Sequence, residues 1–226
     1  MGLNANNVPF TGGGNTPPMD SGTYPARLVQ VIDLGLQAQR PYQGQDKPPA
    51  REIALTYEFP TVFMQDEDGQ DLEDKPRWLT ELIPLHNLKS DRARSTKRYK
   101  ALDPKGEAAG DFAVLVNTPV MVNVVQNPGK GANKGKVYEN INEVMPFPKG
   151  MTVGELANSP RVFDLDAPDV EVFMALPKFI QEKITSNLEF EGSGLQALIK
   201  DAKVSQPSKD DATPSKTEAD DDENPF

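Results

Sequence analysis

"KSDRARSTKRYKALDPK", residues 89–105, is a basic segment that stands between segments with the pattern of β-strands. Ser90 or Asp91 suits the N-cap of a helix, and we expect this helix to run to about Leu102. Seven bases and two acids give the segment a net charge of +5. The position of this helix in the order of strands decides which fold the chain adopts.

Five strands are predicted around this helix, three before it and two after it. They are residues 23–36, 51–64, 77–85, 118–126 and 136–144. Their apolar residues recur with a period close to two, which is typical of strands with one buried face. In the third strand Trp78, Thr80 and Leu82 share one face, and in the first strand Gly35 indicates a β-bulge.

Three strands, a helix and two strands within residues 21–147 match a mainly β fold, the five-stranded OB-fold Greek-key barrel with its helix between strands 3 and 4. Such barrels bind oligonucleotides or oligosaccharides on the face of strands 2 and 3 and with the loops between strands 1–2 and 4–5. Here these loops are "QAQRPYQGQDKPPA", 37–50, and "NPGKGANKGK", 127–136. Their composition indicates a basic binding rim, although a loop of glycine and lysine can equally be a solvated turn.

A helical extension is predicted at 148–203, beyond the barrel. Its first clear helix carries an apolar stripe spaced four residues apart, with one aromatic residue beside it. These residues are Leu176, Ile180, Ile184 and Leu188, with Phe179 adjacent. Packing of this stripe on the barrel is the main interpretation, and a contact between two copies in a homodimer is the alternative. "SGLQALIKDA", 193–202, predicts a second short helix.

Both ends of the chain differ in composition from the predicted domain. Residues 1–20 are rich in Gly, Asn and Pro, and we expect a flexible arm. Residues 204–226 lack a large apolar residue until Phe226, and we expect a disordered acidic tail. Residues 207–226 contain seven acids and two lysines, so they carry −5 of the net charge of −10.

Elimination argues against an enzyme, a cofactor and a metal site. The chain has no cysteine and one histidine, which excludes thiolate chemistry and a multi-histidine metal site. The acidic stretch 66–74 lacks the carboxylates that a calcium loop requires and is interpreted as a solvated hairpin loop. The segment 129–136 lacks the first glycine and the Ser/Thr of a phosphate loop. A carboxylate enzyme that uses a divalent metal stays a weaker alternative.

The predicted location is the cytoplasm. No apolar run approaches the roughly 20 residues that a membrane-spanning helix needs. The N-terminal residues also lack the basic start and apolar stretch of a signal peptide.

Aromatic residues interleaved with bases are the pattern that favours single-stranded nucleic acid, which is held by a basic groove and by bases stacked on aromatic rings. The candidate DNA-binding residues are Arg40, Tyr42, Lys47, Arg51, Tyr57, Arg77, Trp78, Lys89, Arg92, Arg94, Lys97, Arg98, Tyr99, Lys130, Lys134, Lys136 and Tyr138. Phe59 is instead assigned to the core, and Trp78 can face either the core or the DNA, because its face depends on the register of the third strand. Tyr42 is the strongest candidate for stacking, because its polar loop offers no strand pattern that would bury it.

The order of elements, together with the final segment "EADDDENPF", resembles the single-stranded-DNA-binding proteins of tailed phages. The tail is also similar to that of the bacterial single-stranded-DNA-binding proteins, although two residues stand where those have one isoleucine. The matching tail residues are Asp220, Asp221, Asp222, Pro225 and Phe226, while Glu223 and Asn224 stand at the place of the isoleucine. Glu223 is counted with the acids of the predicted partner-binding tail.

The resemblance implies a non-enzymatic protein that coats single-stranded DNA during replication, recombination and repair, in the host cytoplasm if a phage encodes it. It further implies that the tail recruits replication and recombination proteins, such as a polymerase, a helicase-primase or a nuclease. The alternative is a phage structural or scaffold-type interaction protein whose barrel binds no DNA.

Overall fold

A computed structural model describes residues 16–41 and 43–205 of the 226-residue chain. The described part is mainly β, with a six-stranded sheet and a few short helices. The strands are β1 (Gly22–Gln37), β2 (Ala50–Gln65), β3 (Asp71–Pro84), β4 (Pro119–Pro128), β5 (Val137–Pro146) and β6 (Arg161–Phe163). The α-helices are α1 (Arg94–Leu102), α2 (Val170–Met174), α3 (Lys178–Thr185) and α4 (Gly194–Ser205).

The sheet has the strand order β3-β2-β1-β4-β5, with antiparallel neighbours, and β6 runs parallel to β1 beside Gln30–Ile32. The mainly β class and the helix between the third and fourth strands are confirmed. The predicted closed barrel is not found in the described residues, because no backbone ladder joins β3 to β5. Two arginine side chains cross that gap with hydrogen bonds.

Two predicted element ends are wrong. β3 begins at Asp71, so part of the acidic stretch belongs to the strand, and only residues 66–70 form the hairpin turn. Helix α1 begins at Arg94 with Ala93 as its N-cap, and no side chain caps it. Ser90 instead accepts a backbone hydrogen bond from Ala93 in a preceding turn, and Asp91 is paired with Lys100.

The bulge predicted at Gly35 is confirmed. The register of β1 against β2 shifts between Asp33 and Gly35, and Gly35 has a φ of +75°, in the region that favours glycine. A Cβ at Gly35 would lie 2.7 Å from Cγ of Asn187, just beyond α3. The bulge therefore gives the extension a place to pack closely on β1.

The main core lies on one face of the sheet and includes Tyr99, Ala101 and Leu102 of α1. Its largest fully buried side chains include Tyr57, Phe59 and Leu28. The assignment of Phe59 to the core is thus confirmed. Tyr99 and Phe112 complete the core below the sheet, with ring centroids 5.2 Å apart at 77°.

A second core lies on the outer side of the sheet, where the extension covers β1 and β2. Ile32, Leu34 and Ala54 from these strands pack against residues of the extension. The extension contributes Phe163, Phe173, Leu176, Ile180, Ile184 and Leu195. Packing on the sheet, the main interpretation of the apolar stripe, is confirmed for Leu176, Ile180 and Ile184, and the homodimer stays a prediction.

Two of the apolar residues predicted in and beside the stripe are exposed and not buried. Phe179 is 54% exposed and Leu188 is 56% exposed. Helix α3 ends at Thr185, so Leu188 no longer follows its helical periodicity. Phe179 directly precedes the buried Ile180, and adjacent residues of a helix point about 100° apart.

The flexible arm predicted for residues 1–20 is wrong for its last five residues, and residues 1–15 lie outside the described part. Thr16 exchanges hydrogen bonds with the backbone of Gln65, and Met19 is buried against the main core. Residues 16–20 therefore belong to the folded domain.

Candidate nucleic-acid interface

A groove of about 440 Å³ follows the gap between β3 and β5. Its lining combines amides with apolar side chains and one exposed cation. The lining residues are Leu79, Thr80, Glu81, Leu82, Arg94, Val125, Asn127, Glu139, Asn140, Ile141 and Asn142. The groove therefore lies between the two end strands of the sheet, β3 and β5, and is open to solvent.

Two side-chain bridges cross this gap. Arg77 of β3 pairs with Glu139 of β5. Arg98 of α1 donates from Nε to Oε1 of Glu81 at 2.7 Å and from Nη2 to the carbonyl of Asn142 at 3.3 Å. Because each neighbouring pair in the order β3-β2-β1-β4-β5 is antiparallel, β3 and β5 run in the same direction on either side of the groove. The bridges also neutralise both carboxylates of the lining.

Two exposed aromatic side chains lie on the two strands just before the residues that line this groove, although neither ring lines it. Trp78 follows Arg77 on β3 and is 37% exposed, while Tyr138 precedes Glu139 on β5 and is 43% exposed. Successive residues of a strand project to opposite faces, so both rings project to the face opposite the bridge between Arg77 and Glu139. The side chains of Thr80 and Asn140 are the next exposed positions along the two strands.

The lysine loop, residues 129–136 between β4 and β5, lies at this same end. Its base is closed by a hydrogen bond from the Gly129 amide to the Lys136 carbonyl. A Cβ at Gly129 would lie 2.1 Å from the Asn133 carbonyl oxygen, so the loop requires glycine there. The three lysines Lys130, Lys134 and Lys136 are all exposed. The loop therefore places three cations next to the start of β5, where Tyr138 lies.

Exposed cations also lie at the other end of the groove, on and before α1. They are Lys89, Arg92, Arg94, Lys97 and Lys100. Arg94 lines the groove, and Lys97 lines an adjoining cleft of about 480 Å³ between α1 and the end of β5. Asn142 lines both cavities, so the groove continues into the cleft.

Four of the predicted DNA-binding residues are buried, and their assignment to an exposed surface is wrong. Tyr57 and Tyr99 are core residues. Arg77 and Arg98 are held in the bridges across the gap. Burial raises the pKa of Tyr57 well above its usual value, with nearby Glu81 as the second cause, so its hydroxyl stays protonated and points to that carboxylate at 3.5 Å.

Three other predicted DNA-binding residues lie away from the groove. Arg51 is half-buried and pairs with Asp33 and Glu189, away from the groove. Arg40 and Lys47 are exposed in the loop between β1 and β2, which leaves the sheet at the end opposite the lysine loop. Tyr42 lies outside the described residues, and so does the acidic tail. The tail candidates there are Asp220, Asp221, Asp222, Glu223, Pro225 and Phe226.

Glu58 is the residue of this region that the sequence did not indicate. It faces Trp78 across the β2–β3 ladder and is fully buried, although it is a carboxylate. Its oxygens accept hydrogen bonds from Trp78 Nε1 at 2.8 Å, from the Ala157 amide at 2.7 Å and from Asn158 Nδ2 at 2.7 Å. The only signal in the sequence was a charged residue at a strand position between apolar neighbours.

Comparison of the chain with models of protein families, with curated proteins and with solved structures gives no match. Within residues 16–41 and 43–205, no helix has the length and apolar character needed to cross a membrane. The same residues contain no group of three or more histidine, aspartate or glutamate side chains placed to hold a metal ion.

Proposed function

We propose that this protein binds single-stranded DNA without sequence preference and protects it in the cytoplasm during replication, recombination and repair. We further propose that the open sheet is an OB-type Greek-key barrel. The strand order, the double pairing of β1 with β2 and β4, and the helix between β3 and β4 support this fold. No catalytic role is proposed.

The groove between β3 and β5 is the observation that carries the proposal. Exposed rings next to the groove can stack with any base, and cations at both ends can meet phosphates. Trp78 and Tyr138 supply the rings on the strand positions before the groove lining, the lysine loop supplies cations at the same end of β5, and Arg94 and Lys97 supply them at the other end. Arg98 and Arg77 neutralise the two carboxylates of the groove lining, Glu81 and Glu139, while the exposed Glu143 lines the adjoining cleft.

The dimensions of the groove suit several nucleotides. Residues 139–146 of β5 line the groove and the adjoining cleft, and at about 3.3 Å per residue these eight residues span about 26 Å. OB barrels bind about 4–16 nucleotides in this way. Asn127, Asn140 and Asn142 line the path and can donate to or accept from any base. This chemistry favours binding that tolerates sequence.

Replacement of Lys130, Lys134 and Lys136 by alanine is expected to weaken binding of poly-dT and of mixed-sequence strands alike. The slope of log K against log salt concentration changes by about 0.7 for each phosphate contact. Loss of three contacts is therefore expected to flatten this slope by about 2. Fluorescence anisotropy of labelled oligonucleotides at several salt concentrations measures both quantities.

The matched control replaces three exposed lysines that lie away from the groove, Lys149, Lys178 and Lys200, and so changes the net charge equally. This control is expected to keep the slope of the unmodified chain. Equal slopes for the two triple variants would remove the lysine loop from the binding site, and absence of binding by the unmodified chain would overturn the function itself.

We propose a second role for the acidic tail, residues 207–226, which carry −5. Tethered acids compete with DNA for the cations of the groove, and Phe226 recruits a replication or recombination protein by inserting its ring into a pocket of that protein.

Deletion of 207–226 is expected to tighten poly-dT binding, most at low salt, whereas deletion of Phe226 alone is expected to leave DNA affinity unchanged and to abolish recruitment. Pull-downs with both variants test this, and recruitment that survives the Phe226 deletion would refute the docking role.

A scaffold-type interaction protein without DNA binding is the second candidate. The extension favours it, because Met174, Phe179 and Leu188 are large apolar side chains that are more than half exposed. The poly-dT titration separates the two candidates, since only the first binds the oligonucleotide.

A further inference from the structure

The fully buried carboxylate of Glu58 connects two parts of the molecule that are otherwise described separately. On one side it accepts a hydrogen bond from Trp78, the exposed ring on β3. On the other side it accepts from the Ala157 amide and the Asn158 side chain, in the segment that leads from β5 to β6. Oε2 is shared by Trp78 and Asn158, so the ring and the extension bind the same oxygen.

The three hydrogen bonds that the structure describes for Glu58 come from neutral donors. A buried carboxylate without a cation is costly unless its oxygens are fully hydrogen-bonded. Neighbouring positions on the same face of β2 are occupied by Thr56 and Ala54, which are buried and uncharged. The sheet itself therefore needs no charge at this place, and a carboxylate there needs another explanation.

Trp78 provides that explanation. Its Nε1–H has a single direction of donation, so a hydrogen bond to a fixed, charged acceptor restricts the rotation of the whole indole. A ring that is already held in one orientation loses less side-chain entropy when a base stacks on it. The extension in turn holds Glu58, since two of the three donors come from residues 157–158.

We propose that Glu58 is a positioning residue that holds Trp78 ready for base stacking, and that residues 157–158 of the extension support the DNA site through it without contacting DNA. This inference rests on the proposed function. It implies that the extension is required for full DNA affinity.

The test is a double-mutant cycle on the full chain. Asn158→Ala removes one donor from Oε2, and affinity is compared per folded molecule so that a loss of stability is separated from a loss of binding. Glu58→Gln is the second variant. Each is made alone and together with Trp78→Phe, which keeps a ring and loses the Nε1–H. Affinity is measured with labelled oligo-dT, thermal stability by circular dichroism, and ring mobility by the steady-state anisotropy of Trp78, the only tryptophan of the chain.

Asn158→Ala is expected to weaken oligo-dT binding about three- to tenfold and to lower the anisotropy of Trp78, in line with loss of one hydrogen bond. In the Trp78→Phe background the same change is expected to leave affinity unaltered. The matched control is Gln181→Ala, also in the extension, where the side chain donates to the Leu176 and Met174 carbonyls. It is expected to lower stability without altering affinity per folded molecule.

An equal loss of affinity from Asn158→Ala with and without Trp78→Phe overturns the positioning role, and so does an unchanged affinity in the single variant. Failure of the proposed function is a different result. In that case the unmodified chain does not bind oligo-dT, or Trp78→Leu binds it as tightly as the unmodified chain does, and the inference falls together with the stacking role of Trp78.

Discussion

Replacement of Arg98 by methionine is expected to lower the free energy of unfolding by about 3–5 kcal/mol, because it leaves a buried carboxylate without its cation. Arg98 is 3% exposed and makes two hydrogen bonds to Glu81 at 2.7 and 3.1 Å. Arg94 approaches Glu81 only to 4.0 Å from a mostly exposed position and does not replace the buried pair. Urea denaturation followed by circular dichroism measures the loss.

Lys97→Met is the matched control, since Lys97 precedes Arg98 on the same helix and is exposed. It is expected to change the free energy of unfolding by less than about 0.5 kcal/mol. For the proposed DNA binding we expect the opposite order, in which Lys97→Met weakens binding at low salt and Arg98→Met leaves the affinity per folded molecule nearly unchanged. If Arg98→Met weakened DNA binding without loss of stability, Arg98 would be a ligand contact and its structural assignment would be wrong.

Replacement of Ile184 by alanine is expected to lower the free energy of unfolding by about 2–5 kcal/mol, the usual cost of a cavity of this kind in a core. Ile184 is fully buried in the second core, where the extension covers β1 and β2. Urea denaturation and limited proteolysis of residues 148–203 report the effect together. We expect cleavage within the extension at lower urea concentrations than in the unmodified chain.

Leu188→Ala serves as the comparison, because the same apolar stripe in the sequence contains both residues and only Ile184 is buried. We expect a change of less than about 0.5 kcal/mol for this exposed position. Equal losses for the two variants would mean that Leu188 is buried as well, for instance in a contact between two copies.

The strands were predictable because their apolar period is local. The ends of the strands were harder to predict. Asp71, Glu73 and Asp74 are exposed acids that dominate the composition of the hairpin, although Asp71 and Leu72 are already paired with β2. The gap between β3 and β5 was not predictable, since the order of elements is the same for an open sheet and a closed one. It depends on contacts between residues distant in sequence, such as Arg77 with Glu139.

The site was predictable for its exposed cations and less so for residues that face inward. On α1 the buried positions Ser95, Tyr99 and Leu102 follow helical spacing, so the face that packs on the sheet was present in the sequence. Arg98 lies beside Tyr99 on that face, and only the abundance of neighbouring bases suggested that it was exposed. Glu58 and the cover formed by the extension had no local signal, because both depend on where a distant segment docks.

The gap between β3 and β5 has a mechanical consequence. A backbone ladder fixes the spacing of two strands at about 4.8 Å, whereas the arginine bridges that cross this gap end in long side chains with several rotamers. A change in the separation of the two edges breaks no backbone hydrogen bond, but it has to break the side-chain bonds of Arg77 to Glu139 and of Arg98 to the Asn142 carbonyl. The width of the groove is thus set by two buried arginines, whereas the other neighbouring strands are held in register by their backbones.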